Sequence, residues 1–380
     1  MKSNTKKNLS QGTNNRYHII THGCQMNVSD SEKIVGLLER QGYQKAKDAK
    51  SANLVVINVC SVRQSAMDRV YSKIKELRIS ARGVRQRSIR LWRRSAFGGK
   101  NLKLFPEQSR RVRIILAGCL LETDKKKLKD KVDEIWYPDK YFSMASCREN
   151  KNLAYVPIMT GCNNFCAYCV VPYTRGREKS RSALEIIKEV KRLIKSGYKE
   201  IVLIGQNVNS YSCNMEHETC NTINFPKLLK IINDLPGDFW LRFMTSHPKD
   251  MSDELIEAVA KCGKVKKEIH LPIQSGDDEI LKKMNRGYTV KKYKNLIKKI
   301  RQKIPGVKIS TDVIVGFPGE TKKQFQNTAK LFRQIKFNKA YIAKYSPRHG
   351  TAAAKLKDDV SPQEKKRRWQ ILEKIANQKK

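Results

Sequence analysis

Short apolar runs alternate with amphipathic stretches through the first 145 residues of the chain. Three runs are rich in β-branched residues and predict buried strands: RYHIITHG (16–23), NLVVINVC (53–60) and VRIILAGC (112–119). Helices are predicted over SDSEKIVGLLERQGY (29–43), QSAMDRVYSKIKEL (64–77) and TDKKKLKDKV (123–132). The first helix is predicted to begin at Ser29 or Asp30 as N-cap and to end at Gly42. This alternation predicts an α/β domain over residues 16–145, with an open parallel sheet flanked by helices.

A second series of strands, each separated from the next by a helical stretch, begins near residue 154. The candidate strands are AYVPIM (154–159), EIVLIG (200–205), FWLRFMTS (239–246), KEIHLPI (267–273), KISTDVIVG (308–316) and KAYIAKY (339–345). Six strand–helix units are too few for a closed eight-stranded barrel, so a partial (β/α)6 barrel is predicted over 152–360. We expect a linker near 145–153 and a basic C-terminal helix over 361–380.

Each predicted strand of the first domain ends in or just before a cysteine: Cys24, Cys60 and Cys119. In an open parallel sheet the ligand crevice lies beyond the carboxyl ends of the strands. Any one of these cysteines alone is more often a buried core thiol. Three at the same topological position predict a three-cysteine cluster site.

A second cysteine triad, Cys162, Cys166 and Cys169, lies in one loop after the first strand of the second series. Structural zinc takes four ligands, so a zinc site here needs a fourth from elsewhere. A 4Fe–4S cluster has four irons, and three thiolates leave one iron free for a substrate or cofactor. The spacing C-x3-C-x2-C favours the open cluster over a zinc knuckle or a merely cysteine-rich loop.

Lysine and arginine number 78 against 36 acidic residues, a net charge of +42. A polyanion is the expected partner, and nucleic acid is the commonest one. A general enrichment in lysine is the alternative explanation for part of this charge. The sequence contains neither a long apolar run nor a signal peptide, which predicts a cytoplasmic protein. Ten cysteines are too few for a disulfide scaffold of this size.

Residues 78–113 contain ten arginines, although lysine is the commoner basic residue elsewhere. The arginines are at positions 78, 82, 85, 87, 90, 93, 94, 110, 111 and 113. The segment is either a loop that touches RNA, an irregular insertion or a disturbed reading frame. We favour a non-native or disordered insertion over about 79–111.

The two triads and the words around them resemble the methylthiotransferase branch of the radical S-adenosylmethionine (SAM) enzymes. Within it the match is closest to the tRNA-2-methylthio-N6-dimethylallyladenosine synthases and spans roughly 17–375. The motifs that carry it are GCQMN (23–27), NVCSVR (58–63), GCNNFCAYCVVPYTRGREKSR (161–181), GQNVNSY (205–211), RFMTSHPKDMSDELI (242–256), LPIQSG (271–276), KKMNRGYT (282–289) and DVIVGFPGET (312–321).

The resemblance implies two 4Fe–4S clusters and SAM as cofactors. The radical-SAM cluster is implied at Cys162, Cys166 and Cys169, where SAM is cleaved to a 5′-deoxyadenosyl radical. An auxiliary cluster, which presents sulfur, is implied at Cys24, Cys60 and Cys119. The implied product carries a methylthio group at C2 of N6-dimethylallyl (isopentenyl) adenosine 37, beside the anticodon. Such enzymes usually end in an RNA-binding TRAM β-barrel, and the sequence stops where that domain is expected.

Several further residues are weaker candidates. For contacts with SAM, the candidates at strand ends are Gly205, Gln206, Gln274, Asp312 and Gly316, with Ser246 and His247 behind them. Glycines at such positions are often only turns. Arg175, Gly176 and Arg177 are interpreted either as phosphate or substrate contacts or as part of a local ion pair. Phe165 and Tyr168 either shield the cluster or simply pack. Four cysteines are interpreted as bystanders: Cys147, Cys213, Cys220 and Cys262.

The expected partners are tRNA, an electron donor such as flavodoxin or ferredoxin, and a source of sulfur, with the protein a monomer. Two other functions remain open. One is a methylthiotransferase for threonylcarbamoyladenosine in tRNA or for a ribosomal protein. The other is a zinc- and RNA-binding protein without catalytic activity.

Overall fold

A computed structural model describes residues 15–61, 64, 66–79, 112–142, 144–214 and 222–377. Almost the whole arginine-rich segment, 80–111, lies outside the described residues, so its interpretation as an insertion stays a prediction. Its two described arginines form ion pairs at the edge of the first sheet. Arg78 pairs with Asp133 at 2.8 Å, and Arg113 pairs with Glu134 at 2.7 Å.

The first part of the chain forms a five-stranded parallel sheet in the order β2-β1-β3-β4-β5. The strands are β1 (Arg16–His22), β2 (Gln44–Lys45), β3 (Leu54–Cys60), β4 (Arg113–Cys119) and β5 (Glu134–Trp136). The central strand β3 is buried along its whole length, as expected for a parallel sheet that is covered on both faces. This strand order places a switch point between β1 and β3, where open α/β sheets bind ligands.

Helices cover both faces of this sheet: α1 (Gln25–Arg40), α2 (66–79), α3 (Glu122–Leu128) and α4 (Asp139–Phe142). Successive residues of β3 alternate between two apolar clusters. Val55 and Ile57 pack with α2, whereas Leu54 and Val56 pack with α1. The predicted helix over 123–132 ends earlier, at Leu128, and continues as a 3₁₀ turn over Lys129–Lys131.

The predicted N-cap of the first helix, Ser29 or Asp30, is wrong. Helix α1 begins at Gln25, and its N-cap is Cys24. The backbone N–H of Cys24 donates to Asn27 Oδ1 at 3.3 Å, so an asparagine inside the first turn closes the helix end. The predicted stop is confirmed, because Gly42 has φ +81° and its N–H donates to Glu39 O at 3.0 Å.

The second part contains the six predicted strands and, among the described residues, two short antiparallel strand pairs. Its strands are β6 (Leu153–Pro157), β7 (Met159–Thr160), β8 (Lys179–Ser180), β9 (Glu200–Ile204), β10 (Ser212–Asn214), β11 (Thr222–Asn224), β12 (Trp240–Phe243), β13 (Glu268–His270), β14 (Lys308–Val315) and β15 (Lys339–Lys344). Two parallel sheets, β12-β9-β6 and β13-β14-β15, are joined by an isolated parallel bridge between Leu241 and Val265. The predicted strand 154–159 is split, since Met159 turns away to pair with β8.

The helices that pack around these strands are α5 (Val171–Thr174), α6 (Ala183–Lys195), α7 (Phe225–Asn233), α8 (Asp253–Lys261), α9 (Asp278–Lys283), α10 (Val290–Lys303), α11 (Lys322–Ile335) and α12 (Pro362–Asn377). The predicted basic C-terminal helix is confirmed as α12. It is held by Arg368, which pairs with buried Glu320 at 2.7 Å, and by the indole of Trp369, which donates to Ile342 O. None of the described helices is long and apolar enough to cross a membrane.

Helix α1 joins the two parts of the molecule. Met26 packs against Val202 and Ile204, on the face of β9 opposite to the one that α6 and α7 cover. The segment predicted as a linker is held in the same interface, because the Arg148 side chain contacts Glu189 at 2.6 Å and Glu32 at 3.5 Å. The two parts of the molecule, each of which carries one of the triads described below, therefore share a packed interface.

Glu32 in this interface gives the protein a distinctive pH dependence. Burial raises its pKa to about 7, against the lowering effect of Arg148, while Glu189 and Glu149 raise it further and Lys33 lowers it. The protonated carboxyl therefore stabilises the fold fully below an unfolded pKa of 4.5, and this contribution is lost as the pH rises through about 7. We expect Glu32→Gln to flatten the decline in melting temperature between pH 5 and pH 8, by a few degrees. Differential scanning fluorimetry measures the slopes, with exposed Glu257→Gln as control; equal slopes in Glu32→Gln and the parent protein contradict the assignment.

Candidate active site at two cysteine triads

The first triad forms at the carboxyl ends of three adjacent strands. Cys60 and Cys119 are the last residues of β3 and β4 and are direct cross-strand partners. Cys24 follows β1, the other neighbour of β3. A hydrogen bond to Cys60 and burial both raise the pKa of the Cys119 thiol. The sheet order thus brings together three cysteines that are separated by 36 and 59 residues in the sequence.

Two buried asparagines connect the strand ends that carry this triad. Asn27 Nδ2 donates to Asn58 Oδ1 at 3.0 Å and to Val59 O at 3.1 Å. Asn58 in turn donates to Asn27 O at 2.7 Å and to Ser31 Oγ at 2.9 Å. Because both asparagines are completely buried, this network fixes the spacing of Cys24 and Cys60. Sequence reasoning missed both residues, although they lie within the words GCQMN and NVCSVR.

Arg175 reaches the first triad from the loop of the second. Its Nε donates to Cys119 Sγ at 2.8 Å, and its Nη2 donates to Asp30 Oδ2 at 2.6 Å. The Arg175 and Asp30 side chains are 2% and 0% exposed. Of the roles considered for Arg175, the structure therefore supports an ion pair, and the buried guanidinium is not free to contact a phosphate. Its neighbour Arg177 stacks on the Phe165 ring at 4.2 Å.

The second triad lies in the loop between β7 and α5. The Asn164 amide donates to Cys162 Sγ at 3.6 Å, and the Cys169 N–H donates to Cys166 O at 2.9 Å. Burial raises the pKa of Cys169 to about 12, and the nearby Cys166 and Cys162 raise it further. Metal binding displaces such protons, because the thiolate is the ligand.

A second buried arginine serves this triad. Arg286 Nη1 donates to Cys166 Sγ at 3.3 Å, Nη2 donates to Pro272 O at 2.8 Å, and Nε donates to the Tyr288 hydroxyl at 2.8 Å. Arg286 is 7% exposed, so its charge lies next to the thiols with little screening by water. Sequence reasoning missed it within the word KKMNRGYT.

The five candidate SAM contacts do not all behave alike. Gln206 Oε1 accepts from the Gly161 N–H at 2.6 Å and so contacts the triad loop directly. Gln274 has φ +70° and a buried side-chain oxygen without a hydrogen-bond partner. Asp312 lies inside β14 rather than at its end, with Oδ2 3.2 Å from His270 Nε2.

Gly205 and Gly316 have local structural roles. A Cβ at Gly205 would lie 2.6 Å from Met159 Cγ, so the glycine allows β9 to approach β7 closely. Gly316 has φ +69°, and its N–H donates to Glu320 Oε2 at 2.7 Å. The positive φ of Gly316 agrees with the turn interpretation, whereas Gly205 is required by close packing.

Unpartnered polar atoms collect at the strand ends beside the second triad. Among the described residues, the buried atoms without a hydrogen-bond partner include Asn207 Oδ1, Asn209 Oδ1, Ser246 Oγ and Gln274 Oε1. Buried polar atoms in folded proteins are normally paired. Three of these atoms are amide oxygens that accept hydrogen bonds, so the amino and hydroxyl donors of a bound molecule such as SAM would satisfy them. This fits a SAM site, and it adds Asn207 and Asn209, which sequence reasoning missed.

The remaining candidates have no evident ligand role. His247 is buried against Tyr288 with ring centroids 5.7 Å apart, and burial with nearby Arg286 and Lys249 lowers its pKa to about 3. It is therefore neutral at physiological pH. Tyr168 is part of a small apolar cluster near the loop. Of the presumed bystander cysteines, Cys262 packs in the main core, Cys147 is exposed, Cys213 lies in the β10–β11 hairpin, and Cys220 lies outside the described residues.

The donor chemistry of both triads fits an iron–sulfur cluster. Within the described part of the chain, no group of three or more His, Cys, Asp or Glu side chains is placed to hold a single metal ion. The thiolates of a 4Fe–4S cluster bind different irons, so they need not converge on one point.

Comparisons with known proteins agree with this arrangement. Residues 156–332 match the radical SAM superfamily, and residues 16–90 match the uncharacterized protein family UPF0004. A tRNA-2-methylthio-N(6)-dimethylallyladenosine synthase of Clostridium botulinum (strain Langeland) is 42% identical, over 95% of this chain and 81% of the relative. The corresponding synthase of Syntrophomonas wolfei is also 42% identical, over 94% and 81%. The chain belongs to this synthase family.

A solved structure shows that the fold of this family member is shared more widely. The radical SAM methyltransferase TsrM from Kitasatospora setae superposes with a TM-score of 0.57, covering 90% of this chain and 75% of that one at 12% identity. Such low identity supports the fold alone. The resemblance stated from the motifs is confirmed by the synthase relatives, which match well beyond the individual words.

Proposed function

We propose that this chain is a tRNA methylthiotransferase that places a methylthio group at C2 of N6-dimethylallyladenosine, at position 37 of the anticodon loop. The observation that carries the proposal is the pair of cysteine triads, one at the strand ends of the first sheet and one in the loop between β7 and α5, which are connected by the contact of Arg175 with Cys119. A single triad is compatible with many radical SAM reactions, whereas sulfur insertion needs a second site to hold the sulfur. The named relatives, 42% identical over most of the chain, support the tRNA substrate.

Each triad has a separate role in this proposal. When bound, the cluster on Cys162, Cys166 and Cys169 supplies the electron that cleaves SAM, and the cluster on Cys24, Cys60 and Cys119 supplies sulfur. The chain contributes position and charge. Asn27 and Asn58 hold the strand ends, and the buried arginines offset the negative charge of thiolate ligands.

Binding of SAM is proposed at the carboxyl ends of the strands beside the second triad. Gln206 fixes the triad loop through the Gly161 N–H, and Gln274 offers an unpaired buried oxygen. Asn207, Asn209 and Ser246 offer further unpaired atoms in the same region. We propose that the six parallel strands β6, β9, β12, β13, β14 and β15 form the partial barrel over 152–360 and that residues 16–145 form the sulfur-donating domain.

The proposed reaction requires partners beyond tRNA. A low-potential electron donor such as flavodoxin or ferredoxin and a sulfur source are needed, and the cytoplasm is where tRNA meets them. The net charge of +42 supports binding to the phosphate backbone of tRNA.

Gly161→Ala is expected to remove the second cluster while leaving the first. Gly161 has φ +82°, and a Cβ there would lie 2.0 Å from the carbonyl oxygen of Arg177, which is backbone and cannot easily move. Iron should therefore fall from about eight to about four atoms per chain. Gly176→Ala is the matched control: φ is +76°, yet nothing lies within 4 Å, so only strain on the order of 1 kcal/mol is added. Equal iron in both variants, measured colorimetrically after anaerobic reconstitution, contradicts the prediction.

The experiment that tests the proposed function combines iron analysis with a product assay. The reconstituted protein should bind about eight irons, be brown with a broad absorbance in the visible range, and form 2-methylthio-N6-dimethylallyladenosine in tRNA that carries the precursor. Zinc in place of iron contradicts the enzyme and favours a zinc- and RNA-binding protein. Two clusters without product on this tRNA, but with product on threonylcarbamoyladenosine tRNA or a ribosomal protein, reject the substrate and keep the chemistry.

A further inference from the structure

Arg175 belongs by sequence to one triad and by contact to the other. It directly follows the short helix α5, two turns after Cys169, and its backbone N–H donates to Val171 O at 2.8 Å. Its guanidinium, however, donates to Cys119 Sγ at 2.8 Å, at the end of β4 in the first sheet. Through this contact, the position of the second triad's loop influences the position of Cys119 in the first triad.

The surroundings of Arg175 leave its donors few alternatives to the first triad. Asp30 on helix α1 accepts one donor at 2.6 Å, and both side chains are almost completely buried. The third nitrogen, Nη1, is buried without a hydrogen-bond partner among the described residues, as is Asp30 Oδ1. A buried cation with an unused donor, placed beside a cluster ligand, suits the sulfur atoms of an iron–sulfur cluster better than it suits an ordinary ion pair.

We propose that Arg175 is a positioning residue for the auxiliary cluster, which fixes Cys119 as a ligand and raises the cluster's reduction potential. This inference rests on the proposed function, because it requires a cluster at Cys24, Cys60 and Cys119. Hydrogen bonds to cluster sulfur and nearby positive charge both favour the reduced, more negative cluster. The sulfur-donating site therefore has its proper potential only when the loop of the SAM site is seated against it.

Arg286 provides an internal comparison. It donates to Cys166 Sγ from the same part of the molecule as its triad, and another of its partners, Pro272, also lies in that part. Of these two buried arginines, Arg175 crosses between the two parts of the molecule and Arg286 does not. Replacement of Arg175 should alter the auxiliary cluster, whereas replacement of Arg286 should alter the SAM cluster.

The inference is tested in the 380-residue chain with the second triad replaced (Cys162→Ala, Cys166→Ala and Cys169→Ala), so that only the auxiliary cluster forms. An EPR-monitored redox titration compares this parent with the double variant Arg175→Gln, Asp30→Asn, which removes both charges and leaves no unpaired buried carboxylate. We expect the double variant's midpoint potential to be more negative than the parent's. The control variant is Arg242→Gln. Arg242 pairs with Glu200 and Glu268, at the starts of β9 and β13, so the midpoint potential of this variant should equal the parent's.

An unchanged potential in the double variant overturns the inference and leaves Arg175 as an interface ion pair, visible only as a lower melting temperature. Loss of iron from the double variant, but not from the control, supports the positioning role directly. If the double variant fails to fold, Arg175→Lys is measured instead. This variant keeps the positive charge but loses the planar guanidinium, so its midpoint potential should shift to a more negative value by a smaller amount. An unchanged midpoint potential in Arg175→Lys overturns the inference. A parent that binds no auxiliary cluster contradicts the proposed function instead.

Discussion

Cys166→Ala is expected to abolish the reductive cleavage of SAM. Cys166 is the middle member of the loop triad and the thiol to which buried Arg286 donates, so its loss removes an iron ligand and leaves a buried guanidinium donor unpaired. A cluster with two protein ligands does not hold SAM in position for electron transfer. Formation of 5′-deoxyadenosine, measured by liquid chromatography and mass spectrometry with dithionite as reductant, should fall by about 10³-fold or more.

The control for this variant is Cys147→Ala. Cys147 is exposed and has no ligand-like spacing to either triad, so its replacement should leave both cluster content and SAM cleavage at the parent level. Cleavage of SAM by Cys166→Ala at a rate close to that of the control would place the radical-SAM cluster elsewhere.

Cys60→Ala is expected to separate the two halves of the reaction. Cys60 pairs with Cys119 at the end of the first sheet, whereas the loop triad lies in the second part of the molecule. The variant should therefore retain about four irons and form 5′-deoxyadenosine within a few-fold of the parent rate. Sulfur insertion should stop, so methylthiolated nucleoside should fall below detection in the same reaction mixture.

The opposite pattern is equally informative. If Cys60→Ala and Cys166→Ala lose SAM cleavage to the same extent, the two triads do not have separate roles, and the division of labour proposed here is wrong. Melting temperatures of both variants, compared with Cys147→Ala, show whether such a common loss comes from unfolding.

The convergence of Cys24, Cys60 and Cys119 could be predicted from the sequence because it follows from strand geometry. Each cysteine lies at or just after the end of a short apolar run, and parallel strands end at the same edge of a sheet. The spacing of the loop triad was informative for a different reason, since three thiolates within eight residues are close whatever the fold. The six strands of the second series were likewise predictable from apolar runs of typical strand length.

The partners of the two buried arginines could not be predicted, because these contacts depend on how distant segments pack. Arg175 lies 56 residues from Cys119, and Arg286 lies 120 residues from Cys166, so no local pattern connects either pair. The N-cap at Cys24 was missed for a local reason. Ser29 and Asp30 are the usual capping types, but the Asn27 side chain closes the helix end earlier.

The most direct test of the central claim is nucleoside analysis of tRNA from cells that lack this gene and then regain it. Total tRNA is digested and the modified adenosines are quantified by mass spectrometry, with a Cys60→Ala copy of the gene as the matched control. The account predicts that the deletion strain accumulates N6-dimethylallyladenosine without its methylthio group, that the native gene restores 2-methylthio-N6-dimethylallyladenosine, and that the Cys60→Ala copy does not. Failure of the native gene to restore the methylthiolated nucleoside, or restoration by the Cys60→Ala copy, would contradict it.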